Sequence, residues 1–476
     1  MHWIDLTIIV VYLFSMLGIG FYFLKKNKNP DDYYVGGRSL GSFHVGLSVV
    51  ATDVGGGFSI GLGGLGFVMG LSGSWMLFTG LIGAWLSAIF LIPKIHKMEN
   101  FKQLYTFPQV LQYFYNGKVA IAAGIISGIG YIGFTSSQIL AGAKLASASF
   151  VDLNLNTALI IMGVIVVIYT VLGGIKAVIY TDTFQWIILM AGLIFIGIPV
   201  SYNAVGGYAE IVKIVPDGFL TLTNVKWQTL VNWGVTIIPI WFVGMTLYQR
   251  IFSCRTEKEA KKAWFTAGLF EYPVMAFMGV LLGMFSRVAA DGGMFAYLGY
   301  ESISSLDSEM GLPMLLRTVL PVGLMGLMMA AYFSAIMSTA DSCLMAASGN
   351  FLTDIISIFF PKQRTSKHEL RVSQILTLVL GTIAVLLASY MQNVLELMLY
   401  SYAFMVSGLF VPVVGALYWK RAAPAAAFFS MIAGGTTTIT LIVANIKLPL
   451  DLDANIFGIS VSAIVFIIGS LMSKQK

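Results

Sequence analysis

Residues 333–342 read FSAIMSTADS, which places Ser334, Ser338, Thr339, Asp341 and Ser342 within nine positions. At helical spacing, residues three and four apart share a face, so Ala335, Ser338, Thr339 and Ser342 form one stripe with Asp341 beside it. Hydroxyls, a carboxylate and freed backbone carbonyls are hard oxygen ligands, and hard cations take such ligands. A single Ser or Thr in a helix ordinarily bonds back to a carbonyl of its own chain. Three hydroxyls with an Asp exceed what that local role requires. The chemistry on offer is coordination of a small cation.

The elements that must carry this stripe are membrane spans. The 476 residues are 58% hydrophobic and 11% charged, with a mean hydropathy of +0.85, against about 25% charged residues in soluble domains. Apolar runs long enough to cross a bilayer fall at 3–24, 41–70, 73–93, 119–150, 157–173, 183–201, 230–252, 264–288, 313–352, 371–390, 394–418, 424–446 and 454–473. The expected fold class is therefore an all-α polytopic membrane protein of about 13 helices. The first run has "KKNK" after it and no basic residue before it, the wrong polarity for a cleaved signal peptide. With the N-terminus outside, 22 of the 28 Lys and Arg fall on the inside, in keeping with the positive-inside rule. The net charge of +6 follows from that bias and gives no reason to invoke nucleic acid. Loops are short, so no soluble catalytic domain is expected. The two cysteines suggest neither a disulfide framework nor a metal site. No nucleophile–base pair, metal motif or phosphate loop points to an enzyme.

Two spans are abnormal. In SVVATDVGGGFSIGLGGLGFVMG, Asp53 precedes a run of eight glycines between positions 55 and 70. Glycine weakens helix continuity, and unwound backbone is tolerated at membrane depth where it lines a cavity. Close packing through small residues also uses glycine, but packing needs no charge. In NWGVTIIPIWFVGMTLYQRIF, Pro239 and Gly244 interrupt a second span. Four unbroken spans separate the two, so each opens a set of five. An odd number per set inverts one half relative to the other, and paired broken helices in inverted repeats mark a transporter with its site near the midplane. Carbonyls freed near Ala51 and Val54 would complete an oxygen shell for a small monovalent ion together with the Ser/Thr stripe. Asp182, Glu271 and Glu396 are further acidic residues in or near spans, and such residues are functional candidates. Asp182 also fits a helix N-cap behind the Gly173–Gly174 turn.

At these residues the chain resembles the sodium/solute symporter family. The segments YYVGGRSLG (33–41), ATDVGGG (51–57), GGIKAVIYTDTFQ (173–185), QRIFSCRTEKEAKKA (249–263) and FSAIMSTADSCLMAAS (333–348) look like its recurrent segments, in order. The resemblance implies a leucine-transporter-like fold forming one membrane transport domain over 1–476. A leading helix (3–24) would precede inverted repeats at 41–201 and 230–418, with two trailing helices at 424–473. It implies a main sodium site at Ala51, Val54, Ala335, Ser338 and Thr339. A second would use Asp182, Ser338, Asp341 and Ser342, although Asp341 replaces a serine of the best-matched members. It further implies a solute pocket lined by Asp53, Gly57, Ser59, Tyr131, Ser136, Gln138, Trp241, Thr246 and Tyr402. The choline-transporting branch has tryptophans where Asp53 and Gly244 stand, so cation–π surface is lost and choline is disfavoured. The sodium/proline branch resembles this chain in its Asp at position 53, which serves either the ion or the solute's ammonium.

The expected function is sodium-coupled symport of a small polar organic solute: amino-acid-like, a sugar or a carboxylate. The coupling ion is sodium, and the partners are the small-molecule solute and the lipid bilayer, with no nucleic acid and no obligate protein partner. The expected setting is a plasma membrane, such as the bacterial inner membrane, with the C-terminus in the cytoplasm. A proton-coupled transporter on the same scaffold, using Asp53 or Asp182 as carrier, is the alternative. An ion channel or sensor is the second.

Overall fold

A computed structural model describes residues 2–26, 35–53, 55–150, 153–172, 175–300, 306–356 and 366–473. Helices dominate because each apolar run must satisfy its backbone groups internally in a bilayer. Among the described residues nine helices are long and apolar enough to cross a membrane, and ten if one bent pair counts as a single span.

The first break falls where the glycine run places it. Helix α1 (Trp3–Lys26) is followed by α2 (Ser42–Asp53) and α3 (Gly55–Met69), and Gly55 has φ +49°. Val54 lies outside the described residues. Next come α4 (Trp75–Phe90), α5 (Phe107–Phe114), the 33-residue α6 (Gly117–Ser149), α7 (Leu155–Leu172) and α8 (Ile175–Gly192). The second break is Gly244, with φ −67° and ψ 115°, between α9 (Trp227–Val243) and α10 (Met245–Ser253), which are bent by 44°. Pro239 sits inside α9. A Cβ at Gly244 would lie 3.1 Å from its own chain's Ile240 carbonyl and 3.3 Å from the Tyr131 hydroxyl.

The remaining elements are α11 (Glu257–Leu269), α12 (Ala276–Asp291), α13 (Ser308–Val319), α14 (Leu324–Gly349), α15 (Ser366–Tyr390), α16 (Val394–Tyr418), α17 (Pro424–Val443) and α18 (Ala454–Met472). A π-helical turn at Phe270–Met275 joins α11 to α12. Two sequence expectations need correction. The run at 313–352 is not one span: it divides into α13 and α14, with Gly323 at φ +90° preceding α14. Asp182 is not an N-cap, because α8 begins at Ile175 and carries Asp182 two turns inside.

Burial sorts the helices into a core and a rim. Helices α6 and α14 pack on each other and are buried along most of their length, while α16 and α8 also pack on that pair. At the rim, Ile160, Val164 and Ile168 on α7 form an exposed stripe at four-residue spacing. Such a stripe suits acyl chains.

Candidate functional site

The oxygen stripe of α14 faces the broken helix α2/α3. Thr339 Oγ1 lies 3.0 Å from the Ala335 carbonyl, the usual back-bond of an interior threonine, and 3.1 Å from the Ala51 carbonyl across the interface. The approach depends on Gly55, where a Cβ would stand 2.6 Å from Thr339 Oγ1. Ala51, Ala335 and Thr339 are thus brought together. The neighbouring Ser338 hydroxyl donates to Asp182 Oδ1.

Asp182 is fully enclosed. Ser48 Oγ donates to its Oδ2 at 2.5 Å, and Arg250 Nη2 stands 3.5 Å from the same oxygen. The guanidinium of Arg250, 0% exposed, also donates to Ser48 Oγ (3.1 Å), Ser342 Oγ (3.2 Å), Thr52 Oγ1 and the Thr246 carbonyl (3.1 Å). Sequence reasoning counted Arg250 among the inside-loop cations, because it closes a span and positive charge at a helix end is the default. Instead the side chain runs back into the bundle. The available signal was Asp182, an intramembrane carboxylate with no partner named. Asp341, 0% exposed, lies near Asp182 and Thr170, and neither of its oxygens makes a hydrogen bond of ordinary geometry. Of the second-ion set, Asp182 and Ser338 bond directly, Ser342 joins through Arg250, and Asp341 stands apart.

The breaks also gather a polar pocket. Thr246, at the start of α10, donates its backbone N–H to the Tyr131 hydroxyl at 3.1 Å, and its Oγ1 lies 3.0 Å from the same oxygen. Helix N-termini carry free amides, so Tyr131 on α6 meets the positive end of α10. Phe134 bridges onward, stacked on Tyr131 and edge-on to Tyr402. The Tyr402 hydroxyl donates to Asp53 Oδ1 at 3.3 Å. Asp53, Tyr131, Thr246 and Tyr402 therefore come together.

Other expected lining residues make contacts of their own. Ser59 and Ser136 donate to carbonyls of their own helices, at Gly55 and Ile132. The Gln138 amide donates to Ser137 Oγ at 3.3 Å. Trp241 packs into a notch at Gly83 and against Trp264. Gly57 lies in the first turn of α3. Glu271, which the sequence marked as an acidic residue without a role, lies against Asp53.

A cavity of about 500 Å³ has a wall that includes Gly61 and Gly64 of α3, Leu399 and Ala403 of α16, and Trp233 of α9. Ala403 follows Tyr402 directly. Beside the cavity mouth, buried Lys144 on α6 pairs with Asp307 and Glu309, each at 2.6 Å, and Glu309 accepts from the Val394 and Leu395 amides of α16. At the opposite end, Thr106 donates to buried Asp354 at 2.8 Å and Asn350 to Ser127 at 2.8 Å.

The model of the Sodium:solute symporter family matches residues 33–434. The chain is 27% identical over 98% of its length to the osmoregulated proline transporter OpuE of Bacillus subtilis, covering 94% of that protein. It is 29% identical over 89% to the high-affinity proline transporter PutP of the same organism, covering 89% of it. The sodium/proline symporter of Salmonella typhimurium is 27% identical over 98% of this chain and 92% of its own. In fold, the chain matches a substrate-bound, outward-open Na⁺-coupled sialic acid symporter at a TM-score of 0.80 and 21% identity, covering 99% of this chain and 98% of that one. A nucleobase-cation-symport-1 family transporter in a closed conformation matches at 0.60 and 13%, over 93% and 95%.

Proposed function

The chain belongs to the sodium:solute symporter family, and from that premise we propose that it imports a small polar organic solute with sodium by alternating access. It is a membrane-embedded, sodium-coupled transporter of a small solute and not an enzyme. The observation that carries the fuller reading is the meeting of Ala51 and Ala335 carbonyls at the Thr339 hydroxyl, two residues from Asp53, which faces the aromatic pocket.

In this reading one transport domain contains inverted repeats over 41–201 and 230–418, with helix 3–24 leading and 424–473 trailing. The chain crosses a bacterial plasma membrane with its N-terminus outside, so the cavity beside Trp233 and Ala403 faces the exterior. Sodium takes the Ala51, Val54 and Ala335 carbonyls with Ser338 and Thr339. Asp182, Asp341 and Ser342, with Ser338, offer a second ion site. The solute sits among Asp53, Gly57, Ser59, Tyr131, Ser136, Gln138, Trp241, Thr246 and Tyr402. A ligand shifts the outward and inward populations only by its differential affinity, so the two flows couple if only the paired ligands stabilise the closed state.

The test is sodium activation of uptake in proteoliposomes. Thr339→Ala and Ser338→Ala each raise the sodium concentration for half-activation at least tenfold. Unchanged activation in both variants removes the ion-site assignment. Uptake driven by a pH gradient without sodium transfers the reading to the proton-coupled alternative.

A further inference from the structure

Glu271 gives the pocket a second carboxyl group. It is carried by the π-helical turn Phe270–Met275 and is 0% exposed. Its carboxyl fills a notch in α4 where Gly80 has no side chain, and a Cβ there would stand 2.0 Å from Oε2. On its other side lies Asp53. The two carboxyl groups lie within hydrogen-bonding reach of each other, and among the described residues no salt bridge reaches Asp53 or Glu271. Asp53 has one hydroxyl donor, Tyr402. Two other buried carboxylates have fixed cations, Asp182 with Arg250 and Glu309 with Lys144, while Asp341 and Asp354 have none among the described residues.

The cavity bordered by Leu399 and Ala403 has the same sign. The cavity wall carries Glu309, Glu396 and Asp453, and none of its described lining residues is Lys or Arg. Lys144 neutralises Glu309, which leaves Glu396 and Asp453 facing the space with Trp233 and Tyr400. A low-dielectric cleft lined by one sign of charge concentrates the opposite ion.

We propose that the carried solute has net positive charge and presents a protonated amine or guanidine whose N–H groups donate to Asp53 and Glu271 together. This rests on the symport reading and names its substrate class. A cationic solute then brings positive charge to a carboxyl pair that has no fixed cation among the described residues. Guanidinium suits the role best, since its planar fork matches carboxylates on two edges. A quaternary ammonium has no N–H to give. A neutral zwitterion brings its own carboxylate and so adds no net positive charge to the pair.

The experiment is thermal stabilisation of the purified full chain by arginine against its uncharged isostere citrulline, lysine against norleucine, and agmatine against proline. Each probe is read in sodium chloride and in potassium chloride. The proposal expects a cationic member to stabilise in sodium at a concentration at least tenfold below its neutral partner. Glu271→Gln should reduce that ratio at least tenfold, and Glu271→Asp should retain its direction. The ratio is taken within one sample, so a general loss of fold does not imitate the result. Citrulline, norleucine or proline stabilising as well as the cations in sodium, or a ratio unmoved by Glu271→Gln, overturns the proposal and leaves sodium symport standing. Probes that act equally in both salts overturn the symport reading and the proposal together, while the absence of any probe that acts in sodium overturns the proposal alone.

Discussion

Replacing Arg250 with Gln tests the buried charge arrangement at its centre. The guanidinium is the only cation that the described residues place on Asp182, at 3.5 Å, and it donates to three hydroxyls and one carbonyl as well. Removing one partner of a buried ion pair costs about 3–5 kcal/mol, because the other charge remains uncompensated. Asp182 would still accept from Ser48 and Ser338, which places Arg250→Gln toward the lower end, at about 3 kcal/mol. Asp182→Asn alone leaves the cation among neutral acceptors and should cost about the same. The double variant contains neither charge, so its loss should fall short of the sum by about 2 kcal/mol or more, within the range known for directly coupled residues. The assay is chemical unfolding of the four proteins in identical mixed micelles at one sodium concentration. Losses that add to within about 0.5 kcal/mol would mean that Arg250 and Asp182 act independently, and the pairing argument would fail.

Gly55→Ala places a Cβ 2.6 Å from Thr339 Oγ1 at a φ of +49°. It should abolish sodium-dependent uptake while costing about 1–3 kcal/mol of strain in the same unfolding assay; uptake with normal sodium activation would show that the close approach is dispensable. Tyr131→Phe removes the hydroxyl that joins α6 to the start of α10. Losing that contact should weaken solute half-saturation about tenfold, about 1.4 kcal/mol, and uptake kinetics at saturating sodium would expose an unchanged value. Lys144→Met leaves Asp307 and Glu309 without their cation and should destabilise the fold by about 3–5 kcal/mol. An unfolding free energy within about 0.5 kcal/mol of the parent would mark this pair as inessential.

The breaks were legible in the sequence because glycine and proline act locally. The run after Asp53 and the pair Pro239/Gly244 interrupt helices wherever those helices sit. The stripe on α14 was legible because helical periodicity puts Ala335, Ser338 and Thr339 on one side. What periodicity does not contain is the depth and direction of a long side chain. Arg250, at the end of an apolar run, has the flexibility to reach either water or the interior, and only the position of Asp182 on α8 decides between them. Glu271 was visible as an acidic residue in a span, yet its neighbour Asp53 is 218 positions away and arrives through tertiary packing. The hydroxyls of Ser59 and Ser136 each donate to a carbonyl of their own helix, a local contact that residue type alone does not predict.

The buried carboxylates divide into two groups, and the division bears on how a carrier works. Asp182 and Glu309 hold cations that are part of the chain, so their charge is balanced whether or not cargo is present. Asp53 and Glu271 have no salt bridge among the described residues, and Asp341 has no hydrogen bond of ordinary geometry. An unpaired buried carboxylate is costly alone and is relieved by a cation that arrives. That relief is a differential affinity between empty and loaded states, the quantity that ligand-driven population shift requires. In the proposed reading, fixed cations at Arg250 and Lys144 stabilise the scaffold around the breaks, while the carboxylates without them are the positions at which travelling charge can change the balance between conformations.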